Sequence, residues 1–108
     1  MGLDQDLMKI NKEGGRDIEV KYWRKNNQLQ GFFEHYYDQQ NCENTNVTEE
    51  LVEKLLEEID KGLPATSGFF YGNWLMSEEE TQELKELFEE VLNDIKTTGA
   101  RYYYTCSY

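Results

Sequence analysis

A chain of 108 residues is the size of one domain, 1–108, with room for one modest core. Its 38% hydrophobic content is low, but a 14% aromatic share argues against disorder and for an aromatic-rich core. The net charge of −11 repels nucleic acid and anionic membrane, which excludes direct DNA or RNA binding as an expected activity. That charge is unevenly placed: residues 43–62 carry −5, residues 77–97 carry −6, and residues 1–42 are close to neutral.

From the N-terminus, Gly2 to Lys12 alternates imperfectly with Leu3, Leu7 and Ile10 apolar, and Gly14-Gly15 closes it, which predicts a short strand and a turn. Apolar and aromatic residues at 18, 22, 29, 32, 33, 36 and 37 predict a helix from about Val20 to Tyr37. Gly31 inside it suggests close approach of another backbone. Asp38 to Asn46 reads as a polar loop. Asn46 with Glu49 resembles a capping box, with Thr48 as the alternative cap. A helix follows, with Leu51, Val52, Leu55, Leu56 and Ile59 on one face, stopped by Gly62 and Pro64.

The next ten residues, Leu63 to Gly72 (LPATSGFFYG), fit neither flanking helix. They hold the one proline and three adjacent aromatics, an unsuitable composition for a linker. Ser77 with Glu80 is a clean capping box for a helix burying Leu84, Leu87, Phe88, Val91, Leu92 and Ile95, and Gly99 ends it. The final RYYYTCSY is rich in β-formers and predicts a terminal strand, with Tyr102 and Tyr104 on one face and Tyr103 on the other. The expected fold is α+β, with a small antiparallel sheet of the two terminal strands packed against three helices. A third strand over 68–72 is an alternative within that class.

Four places bear on function. Tyr22, Trp23, Arg24 and Lys25 join two cations to two aromatics, either to clamp and stack on an anionic ligand or as core aromatics beside bases that pair with acidic helices. Ser67 and Gly68 precede Phe69, Phe70 and Tyr71, where backbone amides could cradle an anion or the turn could serve packing. His35 stands without a nucleophile motif and reads as a surface residue. Glu78, Glu79, Glu80 and Glu83 lack a calcium-loop pattern and read as a solvated face. Cys42 and Cys106 fit no zinc spacing and, with no secretory signal, read as reduced thiols. No run of about 18 apolar residues predicts a membrane span.

MGLDQDL, EVKYWRKNNQLQGFF, LPATSGFFYG and YYYTCSY occur here in the order that characterises one family. Together they resemble a family of small uncharacterised phage and prophage proteins, whose members begin MGLDMYL, continue with a YWRKAN-like helix and carry an LPT-SGFFFG segment. The similarity spans nearly the whole chain and rests on Gly2, Leu3, Asp4, Leu7, Tyr22 to Lys25, Asn27, Gly31, Phe33, Leu63, Pro64, Ser67 to Phe70, and Gly72. Gln30 departs from the histidine common in that family, as do Asn73, Trp74 and Leu75 from its acidic-aromatic run.

The resemblance implies a phage-encoded accessory protein in the cytoplasm of an infected cell. No catalytic motif, metal set or cofactor motif accompanies it. The expectation is a non-catalytic binding protein with a protein partner, homodimerisation being open, and no membrane. Its surface would join Tyr22–Lys25, Ser67–Tyr71 and the aromatic C-terminus. Two alternatives stand beside it: an acidic mimic of DNA that inhibits a nucleic-acid-binding host protein, and a binder of a small anionic ligand or nucleotide.

Overall fold

A computed structural model describes residues 2–63 and 75–108. In chain order the elements are β1 (Asp4–Lys9), β2 (Ile18–Arg24), α1 (Asn27–Tyr37), β3 (Asn44–Val47), α2 (Glu49–Lys61), α3 (Glu78–Thr98) and β4 (Tyr102–Ser107). This is the expected α+β class: one four-stranded sheet, fully antiparallel, in the order β2-β1-β4-β3. The terminal strands β1 and β4 form its central pair, Asp4 opposite Ser107 and Lys9 opposite Tyr102.

Two elements correct the sequence expectations. Residues 18–24 form a strand rather than the start of a helix. Ile18 and Tyr22 are four apart, a spacing that suits either period, but charged Glu19 and Lys21 alternate with apolar Ile18, Val20 and Tyr22. The turn around Gly14-Gly15 then folds this stretch back on β1 as a hairpin, with a bulge between Leu7 and Met8. The second correction is β3, which takes up the end of the polar loop expected over Asp38 to Asn46 and runs on to Val47. Its sequence, NTNV, alternates two β-formers with two asparagines over only four residues, and pairing with β4 together with burial of Val47 stabilises it. The alternative of a third strand over 68–72 lies outside the described residues.

Helix boundaries follow side-chain chemistry. Lys25 adopts a left-handed backbone with φ 58°, which ends β2, and its N–H donates to the Leu3 carbonyl (2.8 Å). Asn26 then caps α1 by accepting from the Leu29 N–H. Thr48, not Asn46, caps α2. Ser77 and Glu80 form the expected reciprocal box on α3, which ends at left-handed Gly99 (φ 70°).

The core lies between the helices and one face of the sheet. Leu3, Leu7, Tyr102, Tyr104 and Cys106 point into it from β1, its N-terminal lead-in and β4. The helices contribute Leu29, Phe32 and Phe33, then Leu51, Val52 and Leu55, then Leu84, Phe88 and Val91. Phe33 stacks flat on Tyr104, centroids 3.8 Å apart, and Trp23 lies parallel to Phe88 at 6.4 Å. Lys9 and Tyr102 both donate to Asp94 on α3 (2.8 and 2.5 Å), and Lys9 first, then Tyr102, holds that carboxyl down at about 2. Tyr102 and Tyr104 share the core face and Tyr103 takes the other, as the alternation predicts.

A polar chain crosses this core. Gln5 Nε2 donates to the Tyr104 hydroxyl (2.8 Å), which donates to Gln30 Oε1 (2.6 Å). Gln30 Nε2 donates to Glu34 (3.0 Å) and approaches the Cys106 sulfur (3.5 Å). Gln5, Gln30 and Tyr104 are all fully buried.

Candidate functional site

The strand β2 is one of the two outer strands of the sheet, and its alternation sends neighbouring residues to opposite sides. Register with β1 puts Trp23 opposite Gln5 and Lys21 opposite Leu7, on the helix side. Tyr22 opposite Asp6 and Arg24 opposite Asp4 lie on the open side. The contiguous Tyr22–Lys25 patch expected from sequence is therefore divided between two faces. Arg24 and Lys25 both run past Gly2, where an added Cβ would come within 3.1 Å of Lys25 Cε and 4.0 Å of Arg24 Nη2. Ser67, Gly68, Phe69, Phe70 and Tyr71 lie outside the described residues.

The open face carries paired phenols and carboxyls. Tyr22, 46% exposed, donates its hydroxyl to Asp4, and Tyr103 donates to Asp17 (3.0 Å). Both phenols are pushed up, Tyr22 mainly by that bond and Tyr103 mainly by burial and then its bond to Asp17. Asp6 lies beneath them. Burial first, then a hydrogen bond and charge from Glu19, raise its carboxyl to about 6, and its Oδ1 meets no donor. Among the described residues, none of the buried hydrophobic core belongs to this face.

The helix side of β2 is hollow. Lys21, Trp23 and Asn26 face Glu80, Glu83, Leu84 and Leu87 of α3 across a cavity of about 200 Å³, with Met76 also in its lining. Trp23 is fixed there by its stacking on Phe88. Asn26 is 1% exposed and almost fully bonded. Its N–H donates to Gln5 Oε1 (2.8 Å), its carbonyl accepts from Gln5 Nε2 (3.0 Å), and its side-chain oxygen accepts from Leu29 N (3.1 Å). Its Nδ2 meets no acceptor. Native proteins leave few buried donors in this condition, and each calls for a reason.

Sequence reasoning singled out Trp23 but missed Asn26 and the α3 side of the cavity. The available signal was an asparagine three residues before Leu29, the N-cap spacing, hidden by a helix placed too early. His35 is exposed and stacks edge-on against Tyr36. Among the described residues, no group of three or more His, Cys, Asp or Glu is placed to hold a metal ion, and no helix is long and apolar enough to cross a membrane. No protein-family model, curated protein or solved structure matches the chain.

Proposed function

We propose that this is a non-catalytic binding protein of phage type whose partner is another protein, engaged at β2. The observation that carries the reading is the state of that strand. It is one of the two outer strands of the sheet and, at seven residues against the four of β3, the longer, with no strand beyond it among the described residues. It exposes Ile18 and Tyr22 at 52% and 46%, and it holds Trp23 over a cavity. A tyrosine whose hydroxyl is already tied to Asp4 loses less rotamer freedom on binding, as an interface anchor should.

The test is capture from lysate of the bacterial host with tagged protein. The double variant Tyr22→Ser, Arg24→Ala should fold normally and lose the captured protein. Undiminished capture by that variant would remove β2 from the reading.

One observation favours a second reading, the acidic mimic. Glu79, Glu83, Glu86 and Glu90 are all exposed along one side of α3. Helical rise spaces such a row at about 5–6 Å, comparable to successive phosphates. Binding through that row would weaken steeply with salt, whereas anchoring at Tyr22 would respond weakly. Affinity measured across a salt series separates the two.

A further inference from the structure

We propose that the groove between β2 and α3 receives an extended segment of the partner chain, which adds to the sheet as a fifth strand and sets one apolar side chain into the cavity beside Trp23. This deepens the reading of β2 as the partner-binding strand and rests on it. Three independent features converge on the same occupant.

The first is the sheet edge. An outer strand presents alternate N–H and C=O groups with no partner, and extended peptides pair with such edges through main-chain hydrogen bonds. β2 runs seven residues, long enough for such a ladder, and its register places Lys21 and Trp23 toward the groove. The second is the cavity. At about 200 Å³ it is smaller than the pockets that hold whole small-molecule ligands, and it suits one side chain of leucine or phenylalanine size. Trp23, Leu84, Leu87 and Met76 give it apolar walls. The third is the buried Asn26 Nδ2, a donor without an acceptor at the same cavity. A main-chain carbonyl of the incoming segment is the acceptor it lacks. A purely apolar ligand would leave that donor unsatisfied.

The charges choose the flanking residues. Glu80 and Glu83 line the cavity opposite Lys21, and Glu79 is exposed on the preceding turn. In an extended segment, residues two places either side of the anchor point the same way as it does. Lysine or arginine at those places would lie against the α3 carboxyls. The predicted ligand is therefore a β-prone segment with a leucine or phenylalanine anchor flanked at i−2 and i+2 by bases.

The experiment uses the capped heptapeptide Thr-Lys-Thr-Phe-Thr-Lys-Thr as probe, with affinity from titration and contact sites from amide hydrogen exchange. The expected result is saturable binding with new protection across Ile18–Arg24. Replacing both peptide lysines by glutamate, or methylating the backbone nitrogens that would join β2, should weaken binding by about tenfold or more. On the protein side, Asn26→Ser keeps a capping oxygen and removes the amide donor without burying a charge, and Glu83→Gln removes a cavity carboxylate that lies outside the Ser77–Glu80 box. Both should weaken binding while leaving the melting transition near that of the wild type.

Equal affinity for the methylated peptide would overturn strand addition. If no peptide binds at millimolar concentration while partner capture still depends on Tyr22 and Arg24, the groove proposal fails and β2 stands as the interface. If capture is also indifferent to those residues, both readings fail.

Discussion

Removing one oxygen from the core should test whether its polar chain stabilises the fold. In Tyr104→Phe the ring, stacked at 3.8 Å on Phe33, keeps its shape and burial, while two hydrogen bonds disappear. Gln5 Nε2 retains the Asn26 carbonyl, but Gln30 Oε1 loses its 2.6 Å donor in a fully buried position. Leaving one buried polar atom unsatisfied costs about 1–3 kcal/mol. At about 2 kcal/mol, a domain of this size should melt roughly 8–16 °C lower.

Thermal and urea unfolding followed by circular dichroism would measure the change. Tyr103→Phe, on the open face, is the control and should stay within about 0.5 kcal/mol of the wild type. Adding Gln30→Leu to Tyr104→Phe should recover part of the loss, because replacing both partners of a buried bond is cheaper than orphaning one. A Tyr104→Phe protein no less stable than the Tyr103→Phe control would refute the reasoning.

Four further outcomes follow from the same structure. Asp6, raised to about 6 in the fold, binds more protons folded than unfolded, so its contribution is fully present below the ordinary carboxyl range near pH 4 and is lost as pH rises through about 6. Asp6→Asn should therefore gain about 1 kcal/mol near pH 7, after allowance for solvent screening, and little near pH 4, read from urea midpoints. Asp94, held at about 2, has the opposite sign: its contribution is present above about pH 4 and fades as pH falls through about 2. Native protein treated with a thiol reagent should show one fast and one slow cysteine, because Cys42 is exposed while Cys106 is buried and burial pushes its thiol up; equal rates would contradict that placement. Ser77→Ala removes a reciprocal cap and should cost about 1 kcal/mol in thermal unfolding, and no measurable change would contradict the box.

What was legible in the sequence depended on how local its cause was. The helices α2 and α3 follow from apolar stripes at helical spacing and from Thr48, Ser77 and Gly99 at their ends, all within a few residues of one another. Pairing of the terminal strands was readable because β1 and β4 each needed a partner. The β2 strand was misread because the period of Ile18 and Tyr22 is ambiguous over so short a run, and what decides it is β1, on the far side of a glycine turn. The strand β3 carried only a weak signal, Thr45 and Val47 between asparagines over four residues, and it is pairing with β4 that makes it a strand. Of the candidate site, Trp23 was legible as a conspicuous residue, but the side of the sheet it serves was not. Asn26 was illegible as a site because its surroundings come from Gln5, far along the chain, and from α3.

The central β1–β4 pair also has a kinetic meaning. Gln5 and Tyr104 meet across 99 positions of sequence, so closing the middle of the sheet means ordering one of the longest loops the chain can make. The β1–β2 hairpin and the three helices can form from nearby residues, but the sheet stays divided until β4 arrives. Folding rate should accordingly be limited by that late, distant pairing rather than by helix formation. Until then the edges of β1 and β3 stand exposed, and aggregation has its opening.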